Sequence, residues 1–390
     1  MKLLRRTWAE IDLDILAKNY AALCRNKPQS TNFLSVIKAD AYGHGAVPMA
    51  HTLMELGSSY LAVATIEEAV QLRRGEIKAP ILILGYTPAT YAETMVFMDI
   101  TQEIHSLEYA RELDEQLKNT NYVLNVHLQL DTGMTRIGLN TEDSQFEAYL
   151  AEISHLSHLH IEGVFTHFSA ADSTNPQDVE FTHRQYGKFL QSLELMESLA
   201  IRPELKHCSN SAATVLYPEY AMDMIRPGIL LYGVHPSEAT VGKVDIAPVM
   251  TLRSVISQIQ EVKKGSSISY GRTFVAQEDF KMAVVQVGYA DGLSRVLSNK
   301  CSLLLHGVKV PIVGSICMDM CMVDISAVPQ AEVGDMVTVI GQDGEERITA
   351  GDLANIMGNN SYEVLCGINK RVSRIYISDG KESNALRYIV

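Results

Sequence analysis

Eight short apolar runs, at residues 33–38, 60–64, 80–84, 99–104, 123–130, 161–167, 205–207 and 222–225, alternate with longer amphipathic stretches. Brief β-branched runs separated by helix-length segments are the pattern of parallel strands joined by crossover helices. Residues 65–74 place Ile66, Ala69, Val70 and Leu72 at helical spacing, and residues 184–199 do the same with Phe189, Leu190, Leu193 and Leu195. Eight such units within about 230 residues predict an α/β protein built on a TIM-type (β/α)8 barrel. The character changes after Pro248. Runs at 247–259, 282–287, 301–305, 308–313, 317–325, 336–340 and 371–377 are β-rich and separated by Gly, Asp and Pro turns. Only 350–357 reads as a helix there, capped around Gly351-Asp352. The expected division is a barrel over 1–240 and a C-terminal mostly-β domain over 241–390.

Composition narrows the partners. A formal net charge of −13 over 390 residues, with no basic stripe, argues against nucleic acid. The leading segment, Met1 to Trp8, lacks the apolar core of a signal peptide, and no apolar run approaches the roughly 18 residues of a membrane span. A soluble, cytoplasmic protein is expected. Six cysteines without framework spacing, Cys24, Cys208, Cys301, Cys317, Cys321 and Cys366, read as free thiols. His155, His158 and His160 have no cysteine or carboxylate to complete a ligand set, so no metal is expected.

Functional groups of a βα-barrel gather at the carboxyl ends of the strands. Lys38 closes the first run, where apolar neighbours would desolvate the amine, lower its pKa and make it a nucleophile for a carbonyl. The fifth run leads into Asp131-Thr132-Gly133-Met134-Thr135-Arg136, the sixth ends on Thr166-His167, the seventh leads to Ser209-Asn210-Ser211 and the eighth to Arg226-Pro227-Gly228-Ile229. The Ser211 hydroxyl and the N–H groups of Gly228 and Ile229 suit a phosphate, as do Tyr42 and the glycines Gly43 and Gly45 beside Lys38. A lysine with a phosphate cradle suggests pyridoxal phosphate.

The ordered motifs V-I-Lys38-A-D-A-Tyr42-G-H-G, Asp131-T-G-M-T-Arg136-I-G, His207-C-S-N-Ser211, Ile225-Arg226-P-G-I, Ile268-S-Tyr270-G, Val287-G-Tyr289-A-D-G, Ile316-C-Met318-Asp319 and Tyr362-E-V-L-C span nearly the whole chain. With them the sequence resembles the alanine racemase family of fold-type III pyridoxal-phosphate enzymes. The resemblance implies that Lys38 carries the cofactor and then serves as one proton-transfer group, with Tyr270 of the partner subunit as the other. A head-to-tail homodimer follows from that division. It also implies that Arg226 faces the pyridine nitrogen and His167 lies beside it. Arg136 would meet the cofactor's phenolic oxygen and, with the Met318 N–H, the substrate carboxylate. Tyr42, Ser211, Gly228, Ile229 and Tyr362 match phosphate-binding positions. Tyr289 and Tyr362 would narrow the entrance, which Asp172 and Asp319 would shape, unless either is a loop cap.

The chain departs from the family at Gln129. Many members carry there a lysine whose carbamylated form positions the arginine, and Gln129 cannot hold that charge. The amide oxygen, a chloride ion or another carboxylate could orient Arg136 instead. The resemblance implies interconversion of L- and D-alanine for cell-wall precursors. A serine or broad-specificity racemase is the near alternative, because a small pocket rejects one added hydroxyl weakly. Decarboxylation is disfavoured by Arg226 and Tyr270, and a non-enzymatic pyridoxal-phosphate carrier by the additional β-domain.

Overall fold

The computed structural model describes residues 6–388, so the segment 1–5 lies outside the described residues. Eight parallel strands, here one to eight, are Asn32–Val36, Tyr60–Val63, Ile81–Ile83, Ile100–Ile104, Leu124–Asp131, Leu159–Thr166, Leu205–His207 and Met224–Ile225. Ladders run in order from strand one to strand seven, and strand eight pairs with strand one. Strands seven and eight share no ladder, but Asp223 N–H donates to Lys206 O at 3.1 Å and Arg226 N–H to Ser209 O at 2.9 Å. The result is a nearly closed TIM-type barrel, every strand within two residues of its expected run.

Local chemistry starts and stops the helices. Ile66–Arg74 begins at Thr65, whose hydroxyl accepts the Glu68 N–H, and carries Glu67 and Glu68 in its first turn and Arg73 and Arg74 in its last, in accord with the helix dipole. The helix expected over 184–199 is longer, Pro176–Ser198, because Asn175 caps it and Pro176 occupies the first turn. The first two turns offer only Val179 and Phe181, two residues apart rather than at helical spacing, which hid that beginning from a hydrophobic pattern. Among the described residues, no helix is long and apolar enough to cross a membrane.

Two compact units divide the chain. One holds Ala17–Ala41 and Ala46–Ala247; the other holds, of the described residues, 6–16, Tyr42–Gly45 and those from Pro248 onward. Thr7–Asp12, which a linear boundary at residue 240 would leave with the barrel, lies in the large sheet of the second unit. It runs antiparallel to Met250–Val262 and parallel to Ser373–Ser378. That unit is mostly β, with Phe280–Val285, Ser302–Leu305, Val308–Pro311, Cys321–Asp324 and Met336–Asp343 near the expected runs. Val262, Ile268, Met282, Val284, Val313 and Met322 form a buried apolar cluster within it. The strand expected over 317–325 begins only at Cys321; Cys317 and Met318 lie in the turn before it. The helix Ala350–Met357 is capped by a reciprocal pair, Thr349 and Asp352, rather than at Gly351.

Lys38 is also displaced from its expected place on a strand. Strand one ends at Val36, and after Lys38 the residues Ala39, Asp40, Ala41 and Tyr42 all take left-handed helical backbone, with φ from 52 to 54°. Left-handed turns cost non-glycine residues roughly 1–2 kcal/mol each. Hydrogen bonds hold this one: Ala41 N–H donates to Ile37 O at 2.8 Å, and Ala46 N–H to Asp40 Oδ1 at 2.8 Å. Glu68 accepts Ala39 N–H at 2.6 Å and Ala64 N–H at 2.7 Å, clamping the exits of strands one and two together.

Candidate active site

The barrel mouth is organised around Arg226, which follows strand eight and is 3% exposed. Its Nη1–H donates to His207 Nδ1 at 2.9 Å, and Nη2–H to Thr166 O at 2.8 Å, Cys208 O at 3.2 Å and His167 Nδ1 at 3.3 Å. Phe165 lies under the guanidinium, its ring centre 5.2 Å away. Burial above all, with the charge of Arg136, lowers the Arg226 pKa to about 10, so the group remains a cation at neutral pH. Nε–H and one Nη1–H make no hydrogen bond among the described residues, which leaves Nε–H among the donors open to a ligand. His167 is pushed well below the ordinary histidine value by burial and by the cations Arg226, Arg136 and Lys38, which leaves it neutral.

The last two strands bring Ser211 and Gly228 together, with Gly228 N–H donating to the Ser211 hydroxyl at 2.8 Å. Ser211 opens the helix Ser211–Leu216, whose N-cap Asn210 accepts Ala213 N–H at 3.0 Å. Ile229 begins a 3₁₀ turn directly after Gly228. Arg136 lies in an exposed bend built by Asp131, whose Oδ1 accepts the N–H groups of Gly133 at 2.9 Å and Thr135 at 3.0 Å. Gln129 is buried, and its amide N–H donates to Ile137 O at 3.2 Å, so it braces the segment that carries Arg136. Asp172 contributes its backbone carbonyl, which accepts the Ser237 hydroxyl.

The second unit presents a different set. Tyr270 is 71% exposed in a turn where Ser269, Gly271 and Arg272 all have positive φ, held by Ser315, whose hydroxyl donates to Tyr270 O at 2.9 Å. Met318 and Tyr289 are also exposed. Tyr289 N–H donates to Cys317 O and Ala290 N–H to Met318 O, both at 3.0 Å, so these two turns are mutually fixed. Asp319 is not a loop cap: Arg371 pairs with it at 2.7 Å and with buried Asp291 at 2.7 Å, and Arg6 joins Asp291 as well. Tyr42 and Tyr362 face each other with ring centres 6.0 Å apart. Gly43 permits this packing, because a side chain there would lie 2.3 Å from Leu365 O.

Residues 11–236 match the family "Alanine racemase, N-terminal domain" and residues 249–376 match "Alanine racemase, C-terminal domain". The chain belongs to the alanine racemase family. Alanine racemase 1 of Clostridium acetobutylicum is 43% identical over 99% of both chains, and alanine racemase of Clostridium tetani is 42% identical over the full length of both. Among solved structures, alanine racemase of Clostridium difficile superposes with a TM-score of 0.95 at 36% identity, covering all of both chains. That of Bacillus anthracis with bound L-Ala-P gives 0.94 at 33% identity, over 100% of this chain and 99% of that one.

In this alanine racemase family member the barrel unit pairs Arg226 with His167 and Ser211 with Gly228 through direct contacts. Tyr42, Tyr362, Tyr270, Tyr289, Met318 and Asp319 belong to the other unit. Sequence reasoning missed Asp291, Arg371 and Arg6, and also His207, which it quoted without a role. The signals were there: an aspartate between the glycines of Gly288-Tyr289-Ala290-Asp291-Gly292, and a histidine closing an apolar run. The histidines of 155–160 go separate ways, His155 to Ala151 O, His158 to Asp114 and His160 toward Glu204.

His127, His167 and His207 are all lowered, first by burial and then by Arg226, with Glu162 opposing the shift at His127. The unfolded chain therefore binds more protons below about pH 6.5, and stability falls with falling pH, by up to about 1.4 kcal/mol per pH unit for each histidine. Thermal unfolding midpoints should drop clearly between pH 7.5 and pH 5.5. A flat or rising midpoint would contradict the neutral assignment.

Proposed function

We propose that the protein interconverts L- and D-alanine with pyridoxal phosphate, supplying D-alanine for peptidoglycan precursors. The observation that carries this reading is the cationic Arg226, locked by four protein acceptors with Nε left over, in a chain alike to alanine racemases from end to end. The residues fit the cofactor. Nε–H of Arg226 can donate to the pyridine nitrogen, and the Ser211 hydroxyl and the Ile229 N–H can donate to the phosphate, while the Gly228 N–H holds the Ser211 oxygen in place. Tyr42 and Tyr362 are proposed to add their hydroxyls there. Pyridoxal phosphate, when bound through Lys38, supplies a conjugated ring that weakens the substrate's Cα–H bond.

Racemisation then needs two acid/base groups, because the α-proton must leave one face and return to the other. Lys38 is proposed for one face and Tyr270 of the partner subunit for the other, which makes a homodimer part of the reading. Arg226 stays protonated, so it holds the ring nitrogen by hydrogen bonding without surrendering a proton. That restrains charge build-up on the ring and favours return of the proton to Cα over its loss elsewhere. Arg136 and the Met318 N–H are assigned to the substrate carboxylate, His167 to the wall beside Arg226, and Tyr289, Asp172 and Asp319 to the entrance. A cytoplasmic setting accords with the role.

Purified protein incubated with pyridoxal phosphate and, separately, L-alanine and L-serine tests the proposal by chiral chromatography. D-alanine should dominate, and Lys38→Ala should abolish it. D-serine in comparable yield would shift the assignment to a broader racemase, and no turnover of either would refute it.

A further inference from the structure

Barrel interiors are ordinarily filled by branched apolar side chains. Here a polar column runs through it. Tyr60 on strand two donates its hydroxyl to Glu162 Oε2 on strand six at 2.8 Å, and the two strands are not sheet neighbours, so the contact crosses the interior. Thr101 on strand four donates to the same oxygen at 3.3 Å. Glu162 Oε2 is 3.2 Å from His127 Nε2, His127 Nδ1 is 2.9 Å from His207 Nε2, and His207 Nδ1 is 2.9 Å from Arg226 Nη1. Both rings are fully buried.

The direction of every bond is determined by the two ends. A guanidinium only donates, so His207 Nδ1 accepts and its proton sits on Nε2. That proton goes to His127 Nδ1, which leaves His127 Nε2–H to donate to the carboxylate. One arrangement satisfies the chain: cation, two neutral Nε2–H imidazoles, anion. Charges agree with it. Burial pushes Glu162 up, but hydrogen bonds from His127 and Tyr60 outweigh that and hold it below its usual range. Its side chain keeps 20% exposure, so the anion is partly hydrated while its influence passes inward through the rings.

The backbone is shaped for this column. The pairing of strands five and six slips between Val126↔Ile161 and His127↔Gly163, which makes Glu162 the extra residue of a β-bulge, a device that re-aims a side chain. Gly163 makes room for the ring: a Cβ there would lie 2.6 Å from three atoms of His127. His207 is further fixed by stacking on Phe165, 4.9 Å between centres at 6°.

We propose that Glu162 is a positioning residue for racemisation, acting through His127 and His207 to fix the orientation and charge of Arg226 at the cofactor ring. This rests on the assignment of Arg226 under the proposed function. The column delivers a negative end to Arg226 without placing a carboxylate against it, so the guanidinium faces only neutral acceptors and stays a donor.

Two measurements test it. In full-length wild-type protein labelled with ¹⁵N-histidine and prepared without substrate or added cofactor, His127 and His207 should both be neutral Nε2–H tautomers at pH 7. A protonated ring or an Nδ1–H tautomer at either position would overturn the proposal. Glu162→Gln keeps an acceptor for His127 and removes the charge. It should lower kcat by about 3- to 30-fold with the alanine KM within about twofold, and shift the visible absorption of the bound cofactor. Unchanged kcat and spectrum in a folded variant would overturn it, while a variant that fails to fold leaves the wild-type tautomers to decide. A wild-type protein with no racemase activity would sink the functional reading and this inference together; an active wild type with an unaffected variant would sink this inference alone.

Discussion

Tyr270→Phe should slow alanine interconversion by about a hundred- to ten-thousand-fold, the range typical of losing one positioned acid/base group. The change removes a single oxygen from a ring that is 71% exposed, and the turn that carries it is held through the Tyr270 carbonyl and Ser269, not through the phenol. Folding should therefore be unaffected. The defect should also be lopsided. With Lys38 intact, one enantiomer of alanine should still exchange its α-proton with D2O, whereas the other should exchange hardly at all. Proton NMR of each enantiomer in D2O reads this directly. Wild-type racemisation rates, or wild-type exchange from both enantiomers, would remove Tyr270 from the reaction.

The largest stability effect is expected at Arg374. It is 1% exposed and donates to four backbone carbonyls, those of Gly43 at 2.9 Å, Ile368 at 2.7 Å, Asn369 at 2.7 Å and Val372 at 2.6 Å. Methionine at this position fills similar volume but satisfies none of them, and each buried carbonyl left without a donor costs about 1–3 kcal/mol. Partial rescue by water and repacking brings the expected loss for Arg374→Met to about 3–5 kcal/mol. The Gly43 carbonyl belongs to the segment that carries Tyr42, and Tyr376, whose hydroxyl donates to His44 O at 2.9 Å, would be left to hold it. Urea unfolding of the variant against the wild type measures the loss. A change under about 1 kcal/mol would mean that water replaces the guanidinium at little cost.

The barrel was legible because its strands and helices repeat with two distinct periods, and helices such as Ile66–Arg74 carry both cap and dipole signals. The turn after Lys38 was not. Ala39, Asp40 and Ala41 have no preference for left-handed backbone, and what holds them there includes Glu68, thirty residues on, and the Ala46 N–H. Thr7–Asp12 escaped for a related reason, since its strand partners begin beyond residue 248 and no local pattern announces them. Among the proposed site residues, Lys38 and Ser211 could be argued from strand ends, whereas Tyr270 and Met318 sit on exposed turns and stood out only through motif resemblance. The column from Glu162 to Arg226 depends on a one-residue bulge and a contact across the interior, neither of which a single sequence displays.

The central claim, that Lys38 of one chain works with Tyr270 of another, is tested most directly by mixing two inactive variants. Lys38→Ala and Tyr270→Phe, each prepared alone, should show little racemisation. After co-refolding, a mixed dimer holds one site with both residues intact, and random pairing should restore about a quarter of wild-type activity. Activity that stays at the level of the separate variants, although mixed dimers form, would contradict a site shared between subunits.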